Sequence, residues 1–281
     1  MAASTSWREA GACGLALACA AAIAAPPAPS VDCQARSLSF DDKAAAWSHL
    51  PLSKFKRDTV YTVAKDGERP AVLQADASRS ASLYLAPLKP ALRLPATLAW
   101  EWKTDALVPG ADNRDSKRED APLRVLVAFD GDVETLPPEE RKRFQRARTL
   151  TGRTPPYAVL MYIWTDHVPV GTVIPSAHTS QVKMIAVASG KGELGRWQAV
   201  ERDLGADYRM AFGAEPGPVS GISPCACRYS SATRSDQLSP IAPPWKPVRP
   251  SSGPPTMRFE IACVYSWPKT DVSRSPSTHG L

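Results

Sequence analysis

Three carboxylates placed within or directly after apolar runs are the residues of this 281-residue chain best suited to acid–base chemistry. Glu101 lies inside the run 98–103, and Asp130 and Asp132 flank Gly131 directly after the run 123–129. A hydrolase acting on carbohydrate needs two carboxyl groups on either side of the bond that it cleaves. Glu101 and Asp130 are therefore the candidate catalytic residues, as acid and base.

The segment Asp130-Gly131-Asp132 has two further interpretations. An Asp-Gly pair after an apolar run is typical of a turn, and this is the interpretation that the sequence favours. Two aspartates one residue apart are also suited to a hard cation such as calcium, which prefers oxygen ligands. Asp130 and Asp132 are thus weak metal candidates, and the sequence predicts no cofactor.

Large aromatic side chains supply a second kind of chemistry, because their faces can stack on sugar rings. The set is Trp100, Trp102, Tyr162, Trp164 and Trp197. Alternation places Trp100 and Trp102 on the same strand face as Leu98, which favours burial in a core over exposure to a ligand. The candidate ligand-binding residues are Trp102, Asp132, Trp164 and Trp197.

Two other groups of polar residues have less specific spacing. His167, which follows Asp166, lies eleven residues from His178 without helical spacing, so solvated loop histidines are favoured over a metal site. A basic cluster could meet phosphates, anionic lipid or an acidic polymer, or could form the solvated face of a helix. Its members are Arg141, Lys142, Arg143, Arg146, Arg148 and Arg153.

The elements that must position these residues read as strands. Apolar runs at 98–103, 123–132, 157–164, 182–189 and 197–202 have strand length and are bounded by Pro, Gly or Asp. Runs at 59–63 and 71–74 predict a hairpin around Asp66-Gly67. One helix is predicted over 137–148, and residues 203–213 are expected to form a short helix or a turn that ends at Gly213. We expect residues 35–222 to form an all-β, two-sheet antiparallel sandwich, jelly-roll-like, with that one helical insertion.

Both termini differ from this domain. Residues 1–25 resemble a signal peptide or a disordered Ala-rich arm, with a lipobox-like match at Cys19, which predicts a periplasmic or secreted protein. No transmembrane helix is expected in the mature chain. Residues 223–281 are rich in Pro, Ser and Arg and predict a disordered tail. Because residues 34–224 contain no cysteine, we expect the core to need neither a disulfide nor a thiolate-bound metal.

The net charge of +6 does not indicate a nucleic-acid-binding domain. Residues 224–281 carry seven Lys and Arg against three Asp and Glu, so most of the surplus lies in the tail. A nucleic-acid-binding protein concentrates basic charge on its folded domain. Nucleic acid is therefore not an expected partner.

Taken together, these residues resemble a bacterial family known as domain of unknown function 3047. The elements that carry the resemblance are 100–103, 119–125, 129–132, 162–164, 169–173, 187–190, Trp197 with Arg202, Asp207-Tyr208, and 212–216. Their order and spacing extend the resemblance over about residues 35–222. Members of that family continue past the equivalent of Ile222 into an acidic segment and a last strand, whereas this chain has a different sequence from Ser223 onward. That departure predicts a reading-frame shift near codon 222. The family brings no established activity.

The function that the sequence favours is that of a non-catalytic, exported binding protein for a glycan or another cell-envelope component. The aromatic rings and loop carboxylates would bind it at one end of the sandwich. Two alternatives stay open: a hydrolase that uses Glu101 and Asp130, and an envelope scaffold without a small ligand. The sequence does not indicate an oligomeric state.

Overall fold

The computed structural model describes residues 36–52, 57–77, 80–228 and 256–262. All of them belong to one compact unit, Cys33–Leu281. The predicted signal segment 1–25, with Cys19, lies outside these ranges, as does most of the predicted C-terminal tail.

The described residues are mostly β, which confirms the predicted class. The strands are β1 (Arg36–Ser37), β2 (Ser48–Pro51), β3 (Val60–Asp66), β4 (Arg69–Asp76), β5 (Ser80–Leu92), β6 (Thr97–Lys103), β7 (Ala121–Phe129), β8 (Ala158–Thr165), β9 (Val173–Pro175), β10 (Val182–Ser189), β11 (Gln198–Asp203), β12 (Val219–Arg228) and β13 (Thr256–Ala262). The helices are α1 (Pro138–Thr151) and α2 (Leu204–Phe212), and single 3₁₀ turns occupy Lys43–Ala45 and Val133–Thr135.

The strands form two sheets. One has the order β11-β6-β13-β4-β3, with β1 also paired to β13, and the other has the order β2-β5-β12-β7-β8-β10-β9. The prediction of a purely antiparallel arrangement is wrong, because β10 runs parallel to β8, with Val182 beside Val159. The chain leaves β8, forms β9 at the sheet edge and returns through β10 between the two. Alternation of apolar residues assigns faces to a strand but does not assign its direction.

One core lies between the sheets. Trp100 and Trp102 on β6 are 3% and 0% exposed, as their alternation predicts. The ring centroid of Trp100 lies 5.2 Å from that of Tyr162, and the ring centroid of Trp102 lies 5.9 Å from that of Trp164. Both partners are on β8 of the other sheet. Neither indole N–H finds an acceptor within the described part of the chain. Burial of apolar ring area therefore holds the two sheets together here.

The two helices differ in how they meet the sheets. α1 has no buried residue, and Phe144 and Ala147 are half-buried, so it is the surface insertion that the sequence predicts. The segment 203–213, for which the sequence leaves a short helix or a turn open, forms helix α2 directly after β11. Asp203 caps α2 by accepting from the Ala206 N–H at 2.9 Å, and Gly213 ends it in a left-handed conformation.

The C-terminal part departs from the predicted disordered tail in two places. β12 continues to Arg228, beyond the expected boundary at residue 222, and β13 pairs with β6 along its whole length. Strands β6 and β4 have backbone donors and acceptors that a strand between them satisfies, which gives β13 a physical reason to form. Cys225, in β12, is buried and disulfide-bonded, which corrects the expectation of a core without a disulfide.

Candidate functional site

Trp197 stands among charged side chains and not in the core. It directly precedes β11 and is half-buried. Its indole N–H donates to Oδ2 of Asp66 at 2.9 Å. The Arg69 guanidinium lies 4.6 Å and the Lys103 ammonium 5.3 Å from the ring centroid, both within the range of cation–π attraction. With Glu101, these residues form what we call the Trp197 surface: Asp66, Arg69, Glu101, Lys103 and Trp197.

Local sequence explains how each member reaches this surface. Asp66 ends β3 and Arg69 begins β4, on either side of a turn that needs a residue with positive φ, which Gly67 supplies at +60°. Glu101 and Lys103 lie on the β6 face that alternates away from the buried Trp100 and Trp102. The hairpin turn and the outward face of β6 therefore meet beside Trp197.

The charges of the Trp197 surface are paired. The Lys103 ammonium lies 2.5 Å from Asp66 Oδ2, and Arg69 Nε and Nη2 donate to Glu101 at 3.1 and 3.4 Å. The hydrogen bond from Lys103 is the largest cause that lowers the pKa of Asp66, and the Trp197 N–H adds to it. An aromatic ring thus lies among two anions and two cations whose positions are fixed by mutual contacts.

Two of the candidate ligand-binding residues lie in the core. Trp102 is 0% and Trp164 is 1% exposed, and the Trp164 indole N–H donates to the carbonyl of Gly190 at 3.1 Å. A ligand in solution cannot reach either ring in this structure. The prediction that Trp102 and Trp164 bind a ligand is therefore wrong for this structure. Their rings lie on strand faces that are directed into the core.

The candidate aspartates lie at the other end of the sheets from Trp197. Asp130 follows Phe129, whose ring packs 4.7 Å from Tyr208 of α2. Because α2 follows the last residue of β11 and Trp197 precedes the first, Asp130 and Trp197 are separated by the length of a strand. The rings and the loop carboxylates that the sequence assigned to one end are therefore divided between two ends.

Asp130 and Asp132 belong to a turn. The Asp130 N–H donates to the carbonyl of Pro218 at 2.9 Å, and the Asp132 carboxylate accepts from the N–H of Glu134 at 3.0 Å as the cap of the turn Val133–Thr135. Among the residues that the structure describes, no group of three or more His, Cys, Asp or Glu side chains is arranged to hold a metal ion.

The structure does not bring Glu101 and Asp130 together. Glu101 lies in the six-stranded sheet, on the face away from the core, and is bonded to Arg69. Asp130 follows β7 of the seven-stranded sheet and is exposed. Two carboxyl groups that share a substrate bond must open into one cleft, and these two do not.

The histidines also meet separate partners. His167 Nε2 lies 3.1 Å from Arg114 Nη2, and His178 Nε2 lies 3.4 Å from Glu119 Oε1. Their side chains are 51% and 63% exposed, as expected for loop histidines.

Sequence reasoning missed two features that depend on distant segments. Asp66, Arg69 and Lys103 were not singled out, although the Asp66-Gly67 turn marked the place where two of them lie. An open cleft of about 570 Å³ was also missed. Three segments line it at the Asp130 end, namely 93–95, 203–209 and 215–218, and Arg209 pairs with Glu215 at 3.1 Å within it.

Residues 45–226 match the model of a family described as a protein of unknown function, DUF3047. The chain belongs to the DUF3047 family. The comparison with curated proteins gives no match. The matched range of this DUF3047 protein includes every member of the Trp197 surface, whereas β13 lies beyond it. No helix in the described ranges is both long enough and apolar enough to cross a membrane.

Proposed function

We propose that this DUF3047 protein is a non-catalytic binding module whose ligand is a glycan or another component of the cell envelope, bound at the Trp197 surface. One observation carries the proposal: of the five aromatic residues suited to stacking, Trp197 alone lies outside the buried core and among charged side chains. Sugar binding combines an apolar ring face with hydrogen-bonding groups that fix orientation.

The contacts of the Trp197 surface support this ligand class. A pyranose presents C–H groups to an aromatic face and hydroxyl groups at its rim. Asp66 and Glu101 supply acceptors and Arg69 and Lys103 supply donors around the indole. Because the four charges balance, the surface favours a neutral polar ligand over a strongly charged one.

A hydrolase receives less support. Glycoside cleavage needs two carboxyl groups within reach of one bond, and Glu101 and Asp130 lie in different sheets. A surface that only binds needs no such pair, which favours the module over the enzyme.

The proposal includes export to the periplasm or beyond the cell, and a jelly-roll-like sandwich for the two packed sheets. Export is supported by the apolar, Ala-rich stretch at 11–25 and by the disulfide at Cys225, because disulfides persist in oxidising compartments. The sandwich is supported by the single core that both sheets share. Cell fractionation tests export: protein found with the cytoplasm would contradict it.

A glycan array probed with the full chain tests the function, followed by titration calorimetry on any glycan that binds. We expect Trp197→Ala to weaken binding roughly tenfold or more, since it removes the stacking face. Trp197→Phe should retain part of the affinity. Glu201→Gln, an exposed change on β11, and Asp132→Asn at the far end serve as matched controls and should leave the affinity unchanged.

Two results would overturn the proposal. An array without any bound glycan would favour the scaffold interpretation. If Asp132→Asn weakens binding and Trp197→Ala does not, the ligand binds at the Asp130 end and not at the Trp197 surface.

A further inference from the structure

The open cleft at the Asp130 end is lined by charges of both signs. Its volume of about 570 Å³ is in the range of sites that bind small molecules. A leucine and three prolines supply apolar walls. The ionisable side chains that line it are Arg93, Asp203, Arg209 and Glu215. We call it the Arg93 cleft.

Two of these four charges neutralise each other and two do not. Arg209 Nη1 pairs with Glu215 Oε2 at 3.1 Å. Arg93 is exposed and makes no ion pair within the described ranges. Asp203 Oδ1 accepts from the Ala206 N–H at 2.9 Å, and the second oxygen of that carboxylate has no hydrogen-bond donor in the part of the chain that the structure describes. The Arg93 cleft therefore retains one cation and one anion that are available to a ligand.

Gly205 keeps the space beside the Asp203 carboxylate open. It lies in α2, is buried and forms part of the cleft lining. A Cβ at Gly205 would lie 3.4 Å from Asp203 Oδ1 and 3.4 Å from Arg209 Nη2. Because glycine has no Cβ, a group of a ligand can enter between the carboxylate and the guanidinium. Alanine would stabilise the helix more than glycine does, so this opening reduces the stability of α2.

We propose that the Arg93 cleft binds a small zwitterion with a free carboxylate and a free ammonium group, namely an amino acid or a dipeptide. The ligand carboxylate pairs with the Arg93 guanidinium, whose parallel N–H groups match two carboxylate oxygens. The ligand ammonium donates to the free oxygen of Asp203. A simple anion or a simple cation would satisfy only one of the two charges. This site is separate from the Trp197 surface.

Titration calorimetry of the full chain with alanyl-alanine tests the proposal. Two blocked forms are compared with the free dipeptide: N-acetyl-alanyl-alanine, which lacks the ammonium, and alanyl-alanine amide, which lacks the carboxylate. The salt concentration is kept at about 0.05 M, because the charges of the cleft are screened by salt. We expect the free dipeptide to bind, and each blocked form to bind about tenfold or more weakly, since each lacks one charge-assisted hydrogen bond.

Variants of the two unpaired charges assign each end of the ligand. Arg93→Gln should weaken dipeptide binding about tenfold and remove the difference between the dipeptide and its amide. Asp203→Asn, which can still cap α2, should remove the difference between the dipeptide and its N-acetyl form. Lys191→Gln and Glu201→Gln remove the same charges from exposed positions outside the cleft, and they should leave dipeptide binding unchanged.

Gly205→Ala tests the opening itself. The added methyl group should weaken dipeptide binding severalfold without lowering the thermal unfolding temperature, because alanine is the better helix former. Gly192→Ala is the matched control, since a Cβ there meets no atom within 4 Å, and it should leave dipeptide binding unchanged.

Three results would overturn the proposal. The first is that alanyl-alanine does not bind, and the second is that either blocked form binds as well as the free dipeptide. The third is that Arg93→Gln has no larger effect than Lys191→Gln, because the dipeptide would then bind elsewhere. Glycan binding at the Trp197 surface is measured separately, so neither proposal depends on the other.

Discussion

The Arg202 guanidinium and the Asp207 carboxylate form a two-point ion pair that joins β11 to α2, with Arg202 Nε 2.8 Å from Asp207 Oδ2. The hydroxyl of Tyr162, on β8 of the other sheet, donates to the same oxygen at 2.8 Å. The Asp207 side chain is only 6% exposed. One buried carboxylate therefore connects both sheets through α2, and burial raises the pKa of Tyr162 well above its usual range.

Removing the charge of Asp207 should destabilise the fold strongly. Asp207→Ala leaves the Arg202 guanidinium and the buried Tyr162 hydroxyl without their acceptor, and loss of one partner of a buried pair costs about 3 kcal/mol or more. Urea denaturation measures this as a lower free energy of unfolding. Glu201→Gln, the exposed neighbour on β11, should change it by less than about 0.5 kcal/mol. A loss below about 1 kcal/mol for Asp207→Ala would mean that solvent compensates the remaining groups.

Tyr61 should make stability fall at alkaline pH. Burial raises the pKa of Tyr61 to about 12, and the Tyr61 hydroxyl donates to the carbonyl of Ser82 at 2.5 Å. Because the pKa of Tyr61 is higher in the folded chain than in the unfolded chain, the folded tyrosine keeps its proton at pH values where the unfolded one loses it. The contribution of Tyr61 to the free energy of unfolding is therefore complete below pH 10 and is lost between about pH 10 and 12.

Tyr61→Phe tests this assignment through the pH dependence of unfolding. Between pH 10 and 12 the free energy of unfolding should fall less steeply with pH, by up to about 1.4 kcal/mol per pH unit, the value for one proton. Tyr162 and Tyr208 also have raised pKa values, so a slope should remain. An unchanged slope would show that Tyr61 ionises equally in both states.

Lys103 should control the ionisation of Asp66 at the Trp197 surface. The Lys103 hydrogen bond is the largest cause that lowers the pKa of Asp66, and the charge of Arg69 is the smallest of those named. Lys103→Met should raise the Asp66 pKa toward its ordinary value, whereas Arg69→Met should raise it less. Carboxyl carbon NMR during an acid titration measures both. Because the folded pKa is depressed, the stabilisation from Asp66 exists above about pH 4 and is lost as the pH falls through the folded value. Equal shifts in the two variants would contradict the ranking.

What local sequence could predict is visible along β6. Its alternation correctly placed Trp100 and Trp102 in the core and Glu101 on the opposite face, because side-chain direction in a strand has a period of two residues. The turn at Asp130-Gly131-Asp132 was also predicted from the sequence. The Asp132 carboxylate accepts from the N–H of Glu134, which is only two residues away. Both features depend only on near neighbours.

What the sequence could not predict depends on distant neighbours. Trp164 ends an apolar run and lies in the core, whereas Trp197 follows the polar segment 190–196. That polar segment does not indicate that Trp197 contacts Asp66, 131 residues away. The parallel direction of β10 depends on the path through β9, and the place of β13 depends on backbone groups of β6 that are far apart from it in the chain. The periodicity of apolar residues does not indicate which strands pair or in which direction they run.

Gly217 should tolerate no side chain, because its loop passes against the backbone of the Asp130 turn. A Cβ at Gly217 would lie 1.9 Å from the carbonyl oxygen of Asp130, a backbone atom that cannot rotate away. The same turn is held by the hydrogen bond from the Asp130 N–H to Pro218. Gly217→Ala should therefore shift both loops and lower the free energy of unfolding by about 1–3 kcal/mol in urea denaturation. Gly192→Ala is the matched control, since a Cβ there meets no atom within 4 Å. If the two substitutions have equal effects, the 213–218 loop does not pack against Asp130 in solution, and the lining of the adjacent cleft must be different from the one described.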